Sequence, residues 1–259
     1  MEFKDKVVVV TGAAGVFGRW ITEAFWREGA RVVLSDARRE AAEAVIADNG
    51  IGPERAIVHQ TELLDEASIL DLVATVTARW GAPDVVVNNA GIYPAGGLLQ
   101  IDTAEWDRIF GINVRAPYIV TRAFAKAMIA AEKKGVVIMI SSGAARTLRK
   151  GTVPYCTSKT TLERIAKGFA IELAEQGIRV NVVEPGFAPG SVVSPLSPEY
   201  VERMLSRIPL GRGSGPHDAA GAVLYLASER AGFITGATLS VDGGNSLGVF
   251  EPGPIGGKR

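Results

Sequence analysis

Lys6-Val7-Val8-Val9-Val10-Thr11-Gly12-Ala13-Ala14-Gly15-Val16-Phe17-Gly18 is the stretch whose reading decides the fold. Four valines in a row have no polar alternation, so they read as a strand covered on both faces. The run ends in a glycine-rich turn, and a helical pattern, Val16–Gly29, opens immediately. Strand, tight turn and helix make the first half of a βαβ unit, whose crossover is right-handed and whose strands lie parallel.

Outward from this stretch the same rhythm repeats. Short β-branched runs recur at Arg31–Asp36, Arg55–Gln60, Asp84–Asn88, Gly135–Ser141, Ile178–Glu184 and Thr238–Val241. Helical patterns at Ala37–Asn49, Asp65–Trp80, Asp102–Ala131 and Thr157–Gln176 lie between them. The expectation is an α/β fold: a single-domain Rossmann-type doubly wound sheet of about seven parallel strands with helices on both faces, occupying residues 1–259. Two segments break the rhythm. Pro185–Pro209 holds five prolines and a short helical pattern, Pro198–Arg207. Placed after a strand's carboxyl end, residues 187–209 suit a substrate lid. The Gly- and Pro-rich tail, about 245–259, reads as irregular.

Composition narrows the function classes. The chain has 259 residues with 28 basic and 28 acidic side chains, so it lacks the net positive charge that non-specific nucleic-acid binding needs. A lone cysteine, Cys156, excludes a disulfide framework and a thiolate zinc site. His59 and His217 are far apart, and no metal site is expected. Charge followed by a short apolar run at the start makes neither a secretory leader nor a membrane span, so the expectation is a cytoplasmic protein with no membrane partner.

The glycine turn carries the first chemistry. Glycines at a helix N-terminus let backbone N–H groups approach a pyrophosphate, and no Lys-Ser/Thr pair ends the loop as in a triphosphate site. Asp36 ends the second strand, 24 residues after Gly12, where a carboxylate hydrogen-bonds the ribose hydroxyls of NAD and repels the 2′-phosphate of NADP. The alternative is that Asp36 caps the following helix, and Arg38 and Arg39 beside it could accommodate a phosphate. Tyr155 and Lys159 stand four apart, which on a helix puts both on one face, about 5–6 Å apart at Cβ. A neighbouring ammonium favours the phenolate. Ser142, thirteen residues before Tyr155, follows the fifth strand and falls at the same sheet edge.

Taken together the motifs resemble the short-chain dehydrogenase/reductases in their single-domain form, over about Lys4 to Gly244. The resemblance rests on Thr11-Gly12-Ala13-Ala14-Gly15-Val16-Phe17-Gly18, Asn88-Asn89-Ala90-Gly91, Asn113 in Ile-Asn-Val, Ser142, Tyr155 with Lys159, Pro185-Gly186, and Ile234-Thr235-Gly236 before Val241-Asp242-Gly243-Gly244. It implies that Tyr155 is the general base in alcohol oxidation and the general acid in carbonyl reduction. Ser142 would hold the substrate oxygen. Lys159 would hold the nicotinamide ribose and lower the Tyr155 pKa. Asn113 would bend its helix and hold a water that relays the proton to Lys159. The cofactor, NAD, would lie along Gly12, Ala14, Gly15, Phe17, Gly18, Asp36, Glu62, Leu63, Asn89, Ala90, Gly91, Tyr155, Lys159, Pro185, Gly186 and Ala188. A homotetramer through Asp102–Ala131 and Thr157–Gln176 is also implied.

Three positions depart from the family pattern. Val16 stands where a glycine is usual, with Gly15 one place early; Glu62, before Leu63, stands for an Asp; and Gly190 stands for a Thr that Ser191 would have to replace. The pocket is expected from Ile92–Gly97, Gly143–Pro154, Phe187–Val193 and Tyr200–Leu205. Arg146, Arg149 and Lys150 either select an anionic substrate or face solvent; Tyr93, Phe187 and Val192 suit an apolar or aromatic alcohol or are packing. The function expected is NAD-dependent hydride transfer to or from a secondary alcohol: a sugar, polyol, hydroxy acid or cyclic or aromatic alcohol. An NADPH-dependent 3-oxoacyl or ketone reductase is the alternative. A non-catalytic NAD sensor is the third reading, disfavoured because a sensor has no need of Ser142, Tyr155 and Lys159 together.

Overall fold

The valine run is strand β1 (Val7–Thr11) in the computed structural model, which describes residues 1–190, 196–248 and 250. β2 (Arg31–Asp36), β3 (Ala56–Gln60), β4 (Val85–Asn88), β5 (Gly135–Ile140), β6 (Ile178–Pro185) and β7 (Thr238–Val241) complete one sheet in the order β3-β2-β1-β4-β5-β6-β7. Every neighbouring pair is parallel. All seven expected strands are present, each end within one residue, because β-branched runs bounded by turns leave little choice of period.

Successive strand residues point to opposite faces. Val8 and Val10 join Val32, Leu34, Ile138 and Val183 in a core under α1 (Val16–Arg27), α2 (Arg39–Asn49) and α8 (Asp218–Ala227). Val7 and Val9 join Val33, Val86, Val137 and Val182 under α3 (Glu66–Trp80), α5 (Ala116–Ala130) and α6 (Val153–Glu172). Phe25 and Phe124 are fully buried on the two faces, and truncating either to Ala would cost about 3–5 kcal/mol. Among the described residues no helix is long and apolar enough to cross a membrane, and no group of three or more His, Cys, Asp or Glu is placed to hold a metal ion.

Two helices differ from the sequence reading. The pattern Asp102–Ala131 is broken into α4 (Thr103–Phe110) and α5 by a π turn, Gly111–Arg115, centred on the buried Asn113. The resemblance implied a bend at Asn113, and the structure makes it a π turn. Helix α6 starts at Val153, four residues before the expected Thr157, because Pro154 in its first turn has a preset φ and no N–H to leave unpaired. It closes at Glu172, with a 3₁₀ turn, Ala174–Gln176, and left-handed Gly177 leading to β6. The short helix expected in the lid is α7 (Pro198–Leu205), whose N-cap Ser197 accepts from Tyr200 N. Residues 191–195, 249 and 251–259 of the expected lid and tail lie outside the described residues.

Candidate active site

In register, the carboxyl ends of β1, β4, β5 and β6 fall on one sheet edge: Val10 is opposite Val87, Asn88 opposite Met139, and Ile140 opposite Val183. β1 lies between β2 and β4, so the chain order reverses there and opens a crevice. Asn89 binds the two loops at that crevice together. Its Nδ2 donates to Thr11 O at 3.0 Å and Gly12 O at 2.9 Å, while Thr11 Oγ1 accepts from Asn89 N at 3.1 Å and Ala90 N at 3.2 Å. Gly12 has φ +61°, and a Cβ there would sit 2.8 Å from Ala90 Cα. A Cβ on Gly18 would overlap the Gly12 carbonyl oxygen and lie 2.8 Å from Ala13 Cα. The displaced glycine does not prevent the turn: Gly15 N donates to Gly12 O at 3.1 Å, and Val16 opens α1. Gly15 is the N-cap and supplies no side-chain acceptor, so the first N–H groups of α1 are left for an anion.

Asp36 is buried at the end of β2 and holds the loop rather than capping a helix. Its Oδ2 accepts from Ala14 N at 2.9 Å and its Oδ1 from Arg38 N at 3.0 Å. The N-cap of α2 is Arg38, with no side-chain cap. Both neighbouring arginines are engaged: Arg38 Nε stands 3.5 Å from Asp36 Oδ1, and Arg39 Nε pairs with Glu43 at 2.8 Å. Glu62 is exposed, its Oε1 accepting from Leu64 N, and Leu63 packs against the core. Phe17 meets Trp20 edge-on at 5.4 Å.

Helix α6 carries Tyr155 and Lys159 to the same edge. The Lys159 side chain is 4% exposed, and Nζ donates to Ile140 O at 2.9 Å. Burial holds its pKa down to about 8, with Glu163 pulling it back up. Ser142 lies close enough to the Tyr155 phenol to act on its titration, and its hydroxyl accepts from Ala144 N at 3.2 Å. Burial pushes the phenol above its ordinary value, Ser142 lowers it, Cys156 and Tyr93 raise it and Arg149 lowers it. The lowering expected from Lys159 is not what the protein alone displays; the ammonium is 6.0 Å from the ring centroid. Asn113 closes the group. Its Oδ1 accepts from Ile92 N at 2.9 Å, and its Nδ2 donates to Ile92 O at 2.8 Å and Ser158 Oγ at 3.0 Å. A Cβ on Gly91 would lie 3.2 Å from Lys159 Nζ and 3.4 Å from Asn113 Oδ1, so that backbone borders the same space. Gly186, after Pro185, donates its N–H to Val241 O, and its missing Cβ makes room for Asp242. Ala188 is half-buried beyond it; Gly190 has φ +105°, and Ser191 lies outside the described residues.

The three expected substrate cations separate. Arg146 is committed to the fully buried Glu184, its Nη2 standing 2.8 Å from Oε2, and it also donates to Ser240 and Ser246. Its charge is therefore neutralised within the fold. Lys150 is exposed. Arg149 lies where the phenol feels its charge, with Nη1 3.9 Å from Met204 Sδ on α7. Tyr93 meets Tyr155 edge-on at 6.2 Å, and Phe187 meets Tyr200 at 6.4 Å. Val192 lies outside the described residues. An apolar groove of about 800 Å³ runs beside α7, lined by Leu196, Val201, Leu205, Ile208 and Phe250, and none of the catalytic candidates lines it.

The family described as enoyl-(acyl carrier protein) reductase matches residues 12–246. Sorbitol dehydrogenase of Cereibacter sphaeroides is 32% identical over 256 residues, which is 95% of this chain and 99% of that one. The 3-oxoacyl-(acyl-carrier-protein) reductase FabG of Escherichia coli is 34% identical over 94% of this chain and 98% of its own. A solved short-chain dehydrogenase/reductase from Serratia marcescens superposes with a TM-score of 0.87 at 30% identity, covering 95% of this chain and all of that one. The chain is a short-chain dehydrogenase/reductase. Within that family's fold, sequence reasoning missed one cluster behind the catalytic edge of this short-chain dehydrogenase/reductase: Ser141, Glu163 and Glu184. The signal was present, since Glu184 is the single charge among the buried residues of β6.

Proposed function

We propose that the chain is an NAD-dependent dehydrogenase of secondary alcohols. The observation that carries this reading is the gathering of Ser142, Tyr155 and buried Lys159 at one sheet edge, with Ser142 acting on the phenol and Lys159 one helical turn further along α6. The glycine cradle at Gly12 and Gly18 and the uncapped start of α1 suit a dinucleotide pyrophosphate. Asp36 favours NAD by repelling a 2′-phosphate, and the engagement of Arg38 and Arg39 removes the nearby cations that would offset it. Bound NAD supplies the hydride acceptor. Ser142 then holds the substrate oxygen, and Tyr155, ionised to the phenolate before this step, takes the hydroxyl proton at its phenolate oxygen. Lys159 carries positive charge beside that phenol. Arg149 offers an anchor for a carboxylate or other anionic group on the alcohol, with Tyr93 and Phe187 as the apolar wall.

The FabG relatives favour a second reading, an NADPH-dependent reductase of 3-oxoacyl or other ketones. NADH formation at saturating NAD, repeated with NADP, across hydroxy acids and sulfonates, neutral polyols and alicyclic or aromatic alcohols separates the two. Tyr155→Phe is expected to abolish turnover and retain NAD binding. Turnover by that variant overturns the catalytic assignment, and NAD binding without turnover on any panel leaves a dinucleotide sensor. We also infer a cytoplasmic homotetramer. A reducing compartment suits the buried free thiol of Cys156, and exposed Tyr118, Ile129 and Ile171 on α5 and α6 give the long helices apolar surface to bury. A monomeric mass by light scattering refutes the tetramer.

A further inference from the structure

Behind Ser142 and Lys159 lies a cluster of buried ionisable groups that the reaction does not use. Glu184, on β6, is 0% exposed. Its Oε2 takes the Arg146 guanidinium and the Ser240 hydroxyl, while its Oε1 has no hydrogen-bond partner among the described residues. Glu163, one turn beyond Lys159 on α6, accepts from Ser141 Oγ at 2.6 Å, and Ser141 N donates to Val183 O at 2.8 Å beside Glu184, so the two carboxyls are held in one another's field. Two ionised carboxylates offer four acceptors and no donor. A carboxyl–carboxyl hydrogen bond therefore needs a proton on one of them, and that proton supplies the missing donor for Glu184 Oε1. The ionised member is Glu184, because Arg146 and Ser240 both face it. The protonated member is Glu163, which is faced by Ser141 just after β5, Glu184 from β6, and Lys159 and Lys167 from α6.

We propose that Glu163 and Glu184 share one proton, and that this acid pair positions the two catalytic elements flanking it. Each partner is joined to the machinery by a short covalent or hydrogen-bonded path. Glu163 holds Ser141, the residue before Ser142, and stands four residues from Lys159. Glu184 precedes Pro185-Gly186, and its partner Arg146 reaches Ser240 on β7 and Ser246, which is itself bonded to Asp242. With the proton in place, the ends of β5 and β6 are drawn together across α6. Losing it puts two like charges in contact and strengthens the negative field at Lys159. Burial and the neighbouring Glu184 raise Glu163 to about 7, so the proton leaves within the neutral range.

The kinetic arm of the test rests on the proposed dehydrogenase reading; the spectroscopic arm does not. Infrared difference spectra of the purified full chain, recorded as pH is raised from 5 to 9, are expected to lose a protonated-carboxyl C=O band through a midpoint near 7. Glu163→Gln, whose amide still accepts from Ser141 and donates to Glu184, is expected to lack that band. In turnover assays Glu163→Ala is expected to lower kcat more than it changes KM. Glu163→Gln should restore much of that loss while removing the wild-type inflection near pH 7. No titrating band in the wild type, or the same band in Glu163→Gln, overturns the shared proton. A shared band with an unaltered pH profile in Glu163→Gln overturns the positioning role alone.

Discussion

Replacing Lys159 by Met is expected to stabilise the protein while removing its activity. Lys159 is 4% exposed, and its ammonium donates to Ile140 O at 2.9 Å. Burial lowers its pKa from 10.5 to about 8. With about 1.4 kcal/mol for each tenfold change in that equilibrium, the charged side chain costs the fold about 3 kcal/mol at pH 7. Met keeps an unbranched chain of similar length but forfeits the bond to Ile140, an offset of about 1 kcal/mol. The net expectation is a variant more stable by about 2 kcal/mol at pH 7. The sign follows from proton linkage. Below pH 8 both folded and unfolded states carry the charge, so the penalty is complete; between 8 and 10.5 the folded state sheds its proton first, and the penalty fades. Urea unfolding of both proteins at one concentration, at pH 7 and again near pH 10, reads this directly. A variant no more stable than wild type at pH 7 would refute the reasoning, as would a gain undiminished at the higher pH.

Gly18→Ala is expected to lose NAD binding and to lower stability by about 1–3 kcal/mol, because its Cβ has no room against the Gly12 carbonyl and Ala13; calorimetric titration with NAD checks it. Asp36→Asn is expected to shift the ratio of kcat/KM for NAD over NADP toward NADP, and an unchanged ratio would remove Asp36 from cofactor choice. Arg149→Ala is expected to raise KM for anionic alcohols about tenfold or more while leaving neutral ones little changed, since a charge-assisted hydrogen bond is worth about 1.5–3 kcal/mol. Equal effects on both substrate panels would make Arg149 a lid contact to Met204 and nothing more. Raising Glu163 from 4.5 to about 7 makes the folded state bind the proton more tightly, so unfolding free energy is expected to fall as pH rises from about 4.5 to 7. That slope should be absent in Glu163→Gln.

The glycine positions illustrate what is legible in a chain and what is not. Gly12 is needed for its positive φ and Gly18 for the space it leaves, and a glycine-rich turn between a strand and a helix was readable from the sequence. Whether Val16 would spoil the turn was not readable, because the answer depends on the Gly15 N–H reaching the Gly12 carbonyl. Similarly, Arg146, Arg149 and Lys150 are near neighbours in sequence with the same charge. Only the packing of Glu184 against Arg146 separates one structural cation from one whose charge reaches the phenol.

By itself the sequence determined the sheet, its direction and the edge on which the chemistry gathers. Runs of buried β-branched residues alternating with helices allow one parallel, doubly wound arrangement, and motifs at strand ends must then share its carboxyl edge. The tertiary structure alone decided the early start of α6, the fate of the three cations, the pairing of Glu163 with Glu184, and that the bend implied at Asn113 is a π turn. These depend on contacts between residues far apart in the chain, such as Asn113 with Ser158 and Arg146 with Ser246. Local periodicity records which face of an element is apolar; it carries no information about which charged or polar group waits on the neighbouring element.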